Sequence, residues 1–288
     1  QELVGIDVDN NGIHSATDGA YSRYNNLRKK FPKFPKMTFL LADGGSKLNL
    51  QDQIKAIGSM DDKNKQLIKT IFGEKEGDKG MKYDIISSQF VLHYMFKDNT
   101  SFNNLCDNIN NLLKSSGYII FTTMDGDLVY DELKKNNGKI ESYYTNKDGT
   151  KQKFFHIHGK YDLNTNVNQT GLTIEMYNSS FMEEGSSFAE YLIPEKFVIE
   201  KFKEKCNLEL VESENFENIY NTFKDFFVNT AKYEENLQTR KYFNDVSKYY
   251  DLTDEINKAS FELTRLNKLY VFQKRDNKFN NSNMKRTK

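Results

Sequence analysis

The densest chemistry in this sequence lies in one string, Ser87-Ser88-Gln89-Phe90-Val91-Leu92-His93-Tyr94. An apolar run that ends in Gln and then sets a His beside a Tyr makes sense if those side chains project into a cleft. There an amide, an imidazole and a phenol can line a ligand. A satisfied structural histidine is the competing reading, and both stay open on the residues alone. Two acids close short apolar runs elsewhere: Asp7 in Leu3–Val8 and Asp43 after Met37–Ala42. An acid at the carboxyl end of a strand in a nucleotide-binding α/β fold can accept from ribose hydroxyls. Asp43, followed by Gly44 and Gly45, could accept from an adenine amino group while the glycines let the backbone approach. A helix cap for Asp7 and a turn former for Asp43 are the plain alternatives.

Other combinations point away from chemistry. Asp7-Val8-Asp9-Asn10-Asn11-Gly12 opens like a calcium loop, but its twelfth position is Asp18 rather than Glu. A β-branched strand precedes it instead of a helix, so calcium is not expected. His156 and His158 share one face of a strand. Neither cysteine is near and no acid has ligand spacing, so a solvated face and no metal are expected. The stretch from Arg28 to Lys36 (RKKFPKFPK) is basic and aromatic enough to line a polyanion path, or to be a solvated loop. No GxSxG, HExxH or GxxxxGK[ST] occurs, so hydrolase, metalloprotease and P-loop readings lack support. Cys106 and Cys206 are the only cysteines, which excludes a disulfide framework and a cysteine zinc site and suits a reducing compartment.

These residues need a scaffold, and the patterning supplies one. Over 288 residues, 41 Lys and Arg balance 41 Asp and Glu. That balance argues against a uniformly basic nucleic-acid coat and against a highly charged disordered chain. The core must draw on the 22 Phe and 17 Tyr together with Ile and Leu. No window approaches the roughly 18–20 apolar residues that span a bilayer, so no membrane partner is expected. Leu3–Val8 and Met37–Ala42 read as buried strands, and Tyr83–Gln89 and Tyr118–Thr123 as a third and a fourth strand. Asn10–Gly12 reads as a turn leading into a helix through Arg28, and residues 51–80 as helices followed by a charged, glycine-rich loop. A further helix should run from Asn99 or Thr100 to Gly117. This alternation predicts a doubly wound α/β sheet with ligands beyond the carboxyl ends of its strands, where Asp7, Asp43, Gln89 and Thr123 fall. Residues 139–177 read as antiparallel strands, Pro194 opens a helix, Leu208–Val211 is a strand, and Leu269–Phe272 is the last one. Residues 277–288 should form a flexible basic tail. The chain opens at Gln1 directly on an apolar run, and a piece of a longer polypeptide is expected.

Taken in order, the strings YDIISSQFVLHYMF, KSSGYIIFTTMDGD, GKYDL at 159–163, FAEYLIPEKF, LELVESENF and LNKLYVFQKR resemble the mRNA cap guanine-N7 methyltransferases. The resemblance spans nearly the whole chain and is most like the methyltransferase domain of large-DNA-virus capping enzymes. It implies a class I S-adenosylmethionine-dependent methyltransferase: a Rossmann-like mixed sheet whose last strand is antiparallel. One methyltransferase domain over 1–276 is expected, with 139–193 as an antiparallel insertion on the substrate side. The family's first strand and glycine loop would lie before Gln1. By the same resemblance, Asp7 would hold the cofactor ribose, Asp43 its adenine, and Gln89 and Tyr94 its amino-acid end. Arg23 would meet the cap phosphates, His93 and Tyr94 would line the guanine pocket, and Glu190 would accept from the guanine edge. The family's last-strand aromatic aligns at Asn267 or Tyr270. Implied partners are the capped mRNA 5′ end and triphosphatase and guanylyltransferase domains on the same polypeptide; a stimulatory subunit is compatible. The implied location is the host cytoplasm (the viral factory) or the virion if viral, and otherwise the nucleus. Two other readings remain: a non-catalytic stimulatory subunit of this fold, and a methyltransferase of this fold acting on another substrate.

Overall fold

The computed structural model describes residues 2–276, so the expected tail at 277–288 lies outside the described residues. The chain runs through β1 (Glu2–Asp7), α1 (Asn10–His14), α2 (Ala20–Lys30), β2 (Lys36–Leu41), α3 (Leu50–Ile57) and α4 (Asp62–Phe72). β3 (Tyr83–Gln89), a 3-10 turn (Leu92–Phe96), α5 (Asn99–Leu112), β4 (Leu113–Met124) and α6 (Gly126–Lys135) follow. Next come β5 (Lys139–Thr145), β6 (Lys151–Gly159), β7 (Thr173–Asn178), β8 (Phe188–Tyr191), α7 (Glu195–Cys206) and β9 (Leu208–Asn215). The last elements are α8 (Phe216–Tyr233), α9 (Leu237–Ser247), α10 (Glu255–Thr264) and β10 (Asn267–Lys274). No helix among the described residues is long and apolar enough to cross a membrane.

Chain contacts divide these elements into two compact units, Gln1–Asp84 with Asn99–Gly117, and Ile85–Asp98 with the chain from Tyr118 onward. In the first unit, β1 and β2 pair in parallel, with Asp7 opposite Leu41. α4 shows how the sequence builds this unit. Asp61 caps its first turn by accepting from the Asn64 N–H, Ile68, Ile71 and Phe72 fall on one face, and Gly73 ends it at φ +100°. Two expectations need correction here. Leu3 and Ile6 are 45% and 39% exposed rather than buried, because β1 has a ladder partner only on its β2 side among the described residues. Asn10–Gly12 is the opening of α1 rather than a turn, since the Asp9 carboxylate accepts from the Asn11 N–H and caps it. The helix expected to reach Gly117 also stops earlier, at Leu112, where β4 takes over.

The second unit holds two four-stranded sheets. In the order β3-β4-β10-β9, β10 is antiparallel to both neighbours, as expected of the last strand. Aromatic packing welds this sheet to α7: Phe121 stacks on Tyr270 at 4.9 Å, and Phe202 meets Phe272 edge-on at 5.3 Å. The other sheet, β5-β6-β7-β8, is antiparallel throughout. The sequence placed antiparallel strands at 139–177, and β8 extends them. Period-two alternation sends Phe155, Ile157, Ile174 and Met176 into a core with Val129, Leu133 and Leu266. Residues 216–264 form α8 to α10. Tyr220, Phe227, Phe243 and Tyr250 pack on one another there, and α8 buries only Ala231.

At Gly126 two segments of this unit run in close contact. Asp125 and Ile193 form a parallel bridge beside it, and a Cβ at position 126 would overlap the Ile193 carbonyl. Gly126→Ala should therefore destabilise the protein by about 3 kcal/mol, the upper part of the range for overpacking a rigid site. A lowered urea midpoint with unchanged slope checks this.

Candidate active site

In the first unit, the parallel ladder brings the expected cofactor acids to neighbouring strand ends. The Ala42 N–H donates to the Asp7 carbonyl at 2.8 Å. Asp7 Oδ1 accepts from the Asp9 N–H at 2.9 Å. Asp43 turns both oxygens into its own loop, taking the Gly45 N–H at 2.9 Å and the Ser46 hydroxyl at 2.7 Å. Each carboxylate oxygen keeps a second lone pair for a ligand. Space beside them depends on glycine: a Cβ at Gly12 would lie 3.0 Å from Asp7 Oδ2, and one at Gly45 would lie 3.2 Å from Asp43 Oδ1.

Three amide side chains that the sequence reading missed hold the Asp43 loop rigid. Buried Gln53 accepts from the Asp43 N–H at 2.7 Å and donates to the Asp43 and Lys47 carbonyls. Asn108 accepts from the Leu48 N–H and donates to the Ser46 carbonyl, both at 2.8 Å, and Asn104 donates to the Gly45 carbonyl at 3.0 Å. Their periodicity was legible, since Asn104 and Asn108 stand four apart on α5, but nothing local says which loop they clamp. Arg23, on α2, donates to the Asp18 carbonyl. An open depression of about 420 Å³ beside α1 and α2, lined by residues such as His14, Tyr21 and Lys63, includes none of the predicted acids or Arg23.

The second unit gathers the Gln89–Tyr94 string and Glu190. Gln89 closes β3, and its amide is fixed on both sides. Thr122 Oγ1 donates to Oε1 at 2.9 Å, while Nε2 donates to Ser87 Oγ at 3.0 Å. Phe90 then takes a left-handed backbone, φ +54°, which turns the chain sharply into the 3-10 turn. That turn buries His93, leaves Tyr94 42% exposed, and packs their rings 4.2 Å apart. Glu190 arrives from β8, opposite Ile174 of β7, with Oε2 3.8 Å from His93 Nε2. His93 Nε2 is shut from solvent and has no hydrogen-bond partner among the described residues.

Burial dominates the electrostatics of this cluster. It pushes the Glu190 carboxyl up to about 7 and the His93 imidazole down to about 4. His93 is therefore neutral near pH 7, and no Lys or Arg among the described residues lies in ion-pair range of Glu190. Burial and the Glu190 charge also raise the Tyr94 phenol. Such an unneutralised carboxyl beside a neutral imidazole is unusual in a core and suits a ligand that donates hydrogen bonds.

The segment after Glu190 is anchored by buried charges. Lys268 lies 3.5 Å from Asp125 and also pairs with Glu195. Asp127 accepts from the Glu195 N–H at 2.8 Å, and Asn215 donates to Asp125 at 3.2 Å. The two alignments for the last-strand aromatic both end in the interior. Asn267 donates to the Leu263 and Thr264 carbonyls, and Tyr270 is fully buried in the Phe121 stack.

The histidine pair of β6 is not the acid-free strand face expected of it. An acid does reach the histidine pair of β6: Glu141 stands directly opposite His156 on β5, and its Oε1 lies 3.0 Å from His158 Nε2. Sequence spacing misses it because cross-strand neighbours are set by hairpin register.

The model of the mRNA (guanine-N(7))-methyltransferase domain matches residues 1–275 of the chain. The chain belongs to that family. It is accordingly an mRNA (guanine-N(7))-methyltransferase domain, and its architecture is mixed α/β with a mixed sheet. A "Probable mRNA-capping enzyme" of Acanthamoeba polyphaga mimivirus is 40% identical over 281 residues, covering 94% of this chain and 23% of the relative. An mRNA-capping enzyme of African swine fever virus is 24% identical over 229 residues, covering 78% of this chain and 23% of the relative. The methyltransferase domain thus spans about a quarter of the length of these curated viral relatives. Among solved structures, an S-adenosylmethionine-dependent methyltransferase from Clostridium acetobutylicum aligns over 96% of this chain and 76% of its own. Its identity to this chain is 11% and the TM-score 0.41.

Proposed function

We propose that the domain transfers the methyl group of S-adenosylmethionine to N7 of the guanine that caps mRNA, with the site residues in the roles the family resemblance implies. The buried Glu190–His93 pair carries this reading. Guanine presents an N1–H and an amino group along one edge, and a single ionised carboxylate can accept from both. His93, held neutral, and Tyr94 offer flat surfaces for the base.

Asp7 and Asp43 would hold the ribose and adenine of the methyl donor, at glycine-spaced strand ends, and Gln89 and Tyr94 its amino-acid end. S-adenosylmethionine supplies a methyl group activated by a sulfonium. Guanine N7 carries an in-plane lone pair and no proton, so the residues need not act as a base. Their work is alignment, for which held geometry can contribute about 7–11 kcal/mol. A carboxylate on the guanine edge also favours the positive charge that grows on the base as N7 is methylated. Arg23 would meet the cap phosphates. The relatives' greater length supports triphosphatase and guanylyltransferase domains as neighbours on one polypeptide, and their viral sources support action in a viral factory.

The test supplies methyl-labelled S-adenosylmethionine and GpppA-ended RNA to the chain alone and to the chain extended upstream of Gln1. Label should appear at guanine N7, and His93→Ala should lower transfer at least 10-fold while donor binding persists. Absence of label with both polypeptides overturns the reading.

A further inference from the structure

The face of the β5–β8 sheet opposite its apolar core carries a side-chain cluster that cap methylation does not use. Cross-strand pairing places Glu141 opposite His156 and His156 opposite Tyr177. His156 and His158 stack 4.2 Å apart at 10° between planes, and Tyr177 packs on His156 from the far side at 5.5 Å. One ligand-capable atom from each of Glu141, His156 and His158 lies within 4.8 Å of the other two. Both ring nitrogens of His156 are shut from solvent without a hydrogen-bond partner among the described residues, although Glu175 Oε1 stands 3.9 Å from Nε2. Two ring nitrogens shut from solvent with nothing to bond are rare in folded proteins and call for a partner.

We propose that Glu141, His156 and His158 form a binding site for a divalent transition metal of the zinc class, with a water completing the coordination. Two imidazoles and one carboxylate are the donor set such ions favour, and three protein ligands leave the fourth tetrahedral position open. Tetrahedral Zn–N bonds of about 2.0–2.1 Å put ligand atoms about 3.4 Å apart, so atoms that lie within 4.8 Å of one another need to draw in by at most about 1.4 Å. The ligands come from paired strands, so their backbones are already fixed by the ladder. Lys153 Nζ is 2.9 Å from Glu141 Oε1, and the Tyr143 hydroxyl donates to Oε2 at 2.8 Å. The ammonium occupies the electrostatic place a cation would take. Metal binding must therefore displace Lys153 from Glu141, which makes the site weaker than its donors alone would allow.

That competition gives the experiment two opposite signs. The chain, stripped of metal with a chelator, is titrated with Co²⁺, whose tetrahedral complexes absorb visibly, and then with Zn²⁺. Wild type should show one saturable Co²⁺ band that Zn²⁺ abolishes. Glu141→Gln and His158→Ala should each weaken Co²⁺ binding at least 10-fold, whereas Lys153→Met should tighten it at least 3-fold. Misfolding cannot produce tighter binding, so Lys153→Met keeps the proposal falsifiable where a ligand variant folds poorly. No saturable band in wild type, or wild-type titrations in all three variants, overturns it.

Discussion

Replacing Glu190 with glutamine is expected to lower kcat/KM for GpppA-ended RNA by about 10²-fold and to flatten its pH profile between 6 and 8. A hydrogen bond to a charged acceptor is worth about 1.5–3 kcal/mol, and Glu190 would accept two from the guanine edge. Glutamine keeps one acceptor and points a donor at another donor. The sign of the pH effect follows from burial, which holds the carboxyl at about 7. Only the ionised form accepts both guanine donors, so cap affinity should rise as pH climbs through that value. Stability of the free protein runs the other way. A folded pKa above the unfolded one contributes stability that is complete below about 4.5 and is lost as pH rises through about 7. His93, depressed to about 4, contributes stability present above about 6.5 and lost as pH falls through its folded value. The two contributions oppose each other between about pH 4.5 and 6.5, so urea midpoints should change little there and fall only from about 6.5 to 7, where cap-analogue affinity rises. A Glu190→Gln profile that tracks wild type would remove Glu190 from guanine recognition.

Lys268→Ala should cost about 3 kcal/mol of stability, because it strands the buried Asp125 carboxylate and removes the cation from the part-exposed Glu195. The Lys268 side chain is 12% exposed and Asp125 7%, with Glu195 on its other side. Asp125 also caps α6 through the Leu128 N–H and bridges to Ile193, three residues after Glu190. The damage should thus reach cap binding as well as the urea midpoint. Lys268→Arg, which keeps the charge, should recover most of the stability and less of the affinity, since a planar fork fits this cleft differently. Equal midpoints for Lys268→Ala and wild type would show the network to be energetically idle.

Most of the strand and helix order was readable locally. Tyr83–Gln89 occupies the predicted residues, and Pro194 stands at the start of α7 as expected. Apolar runs and a Pro with fixed φ act through neighbouring residues only. The exposure of Leu3 and Ile6 was not readable, because burial of a strand depends on what lies at its edge rather than on its own side chains. Likewise α8 packs aromatics against α9 and leaves Phe226 54% exposed, which periodicity alone cannot foresee.

For the candidate site the division is similar. The sequence by itself determined the residue types, the strand-end placement of Asp7, Asp43 and Gln89, and, through family resemblance, the methyltransferase reading. It could not decide that Glu190 meets His93, that Gln53, Asn104 and Asn108 clamp the Asp43 loop, or that Glu141 completes the His156–His158 group. Each of those pairings joins residues far apart in the chain, and strand register and helix docking choose among many equally allowed partners. Burial, another tertiary property, is also what turns an ordinary glutamate into one that titrates near neutrality. Local chemistry is written residue by residue, whereas proximity and dielectric exist only once the chain has folded.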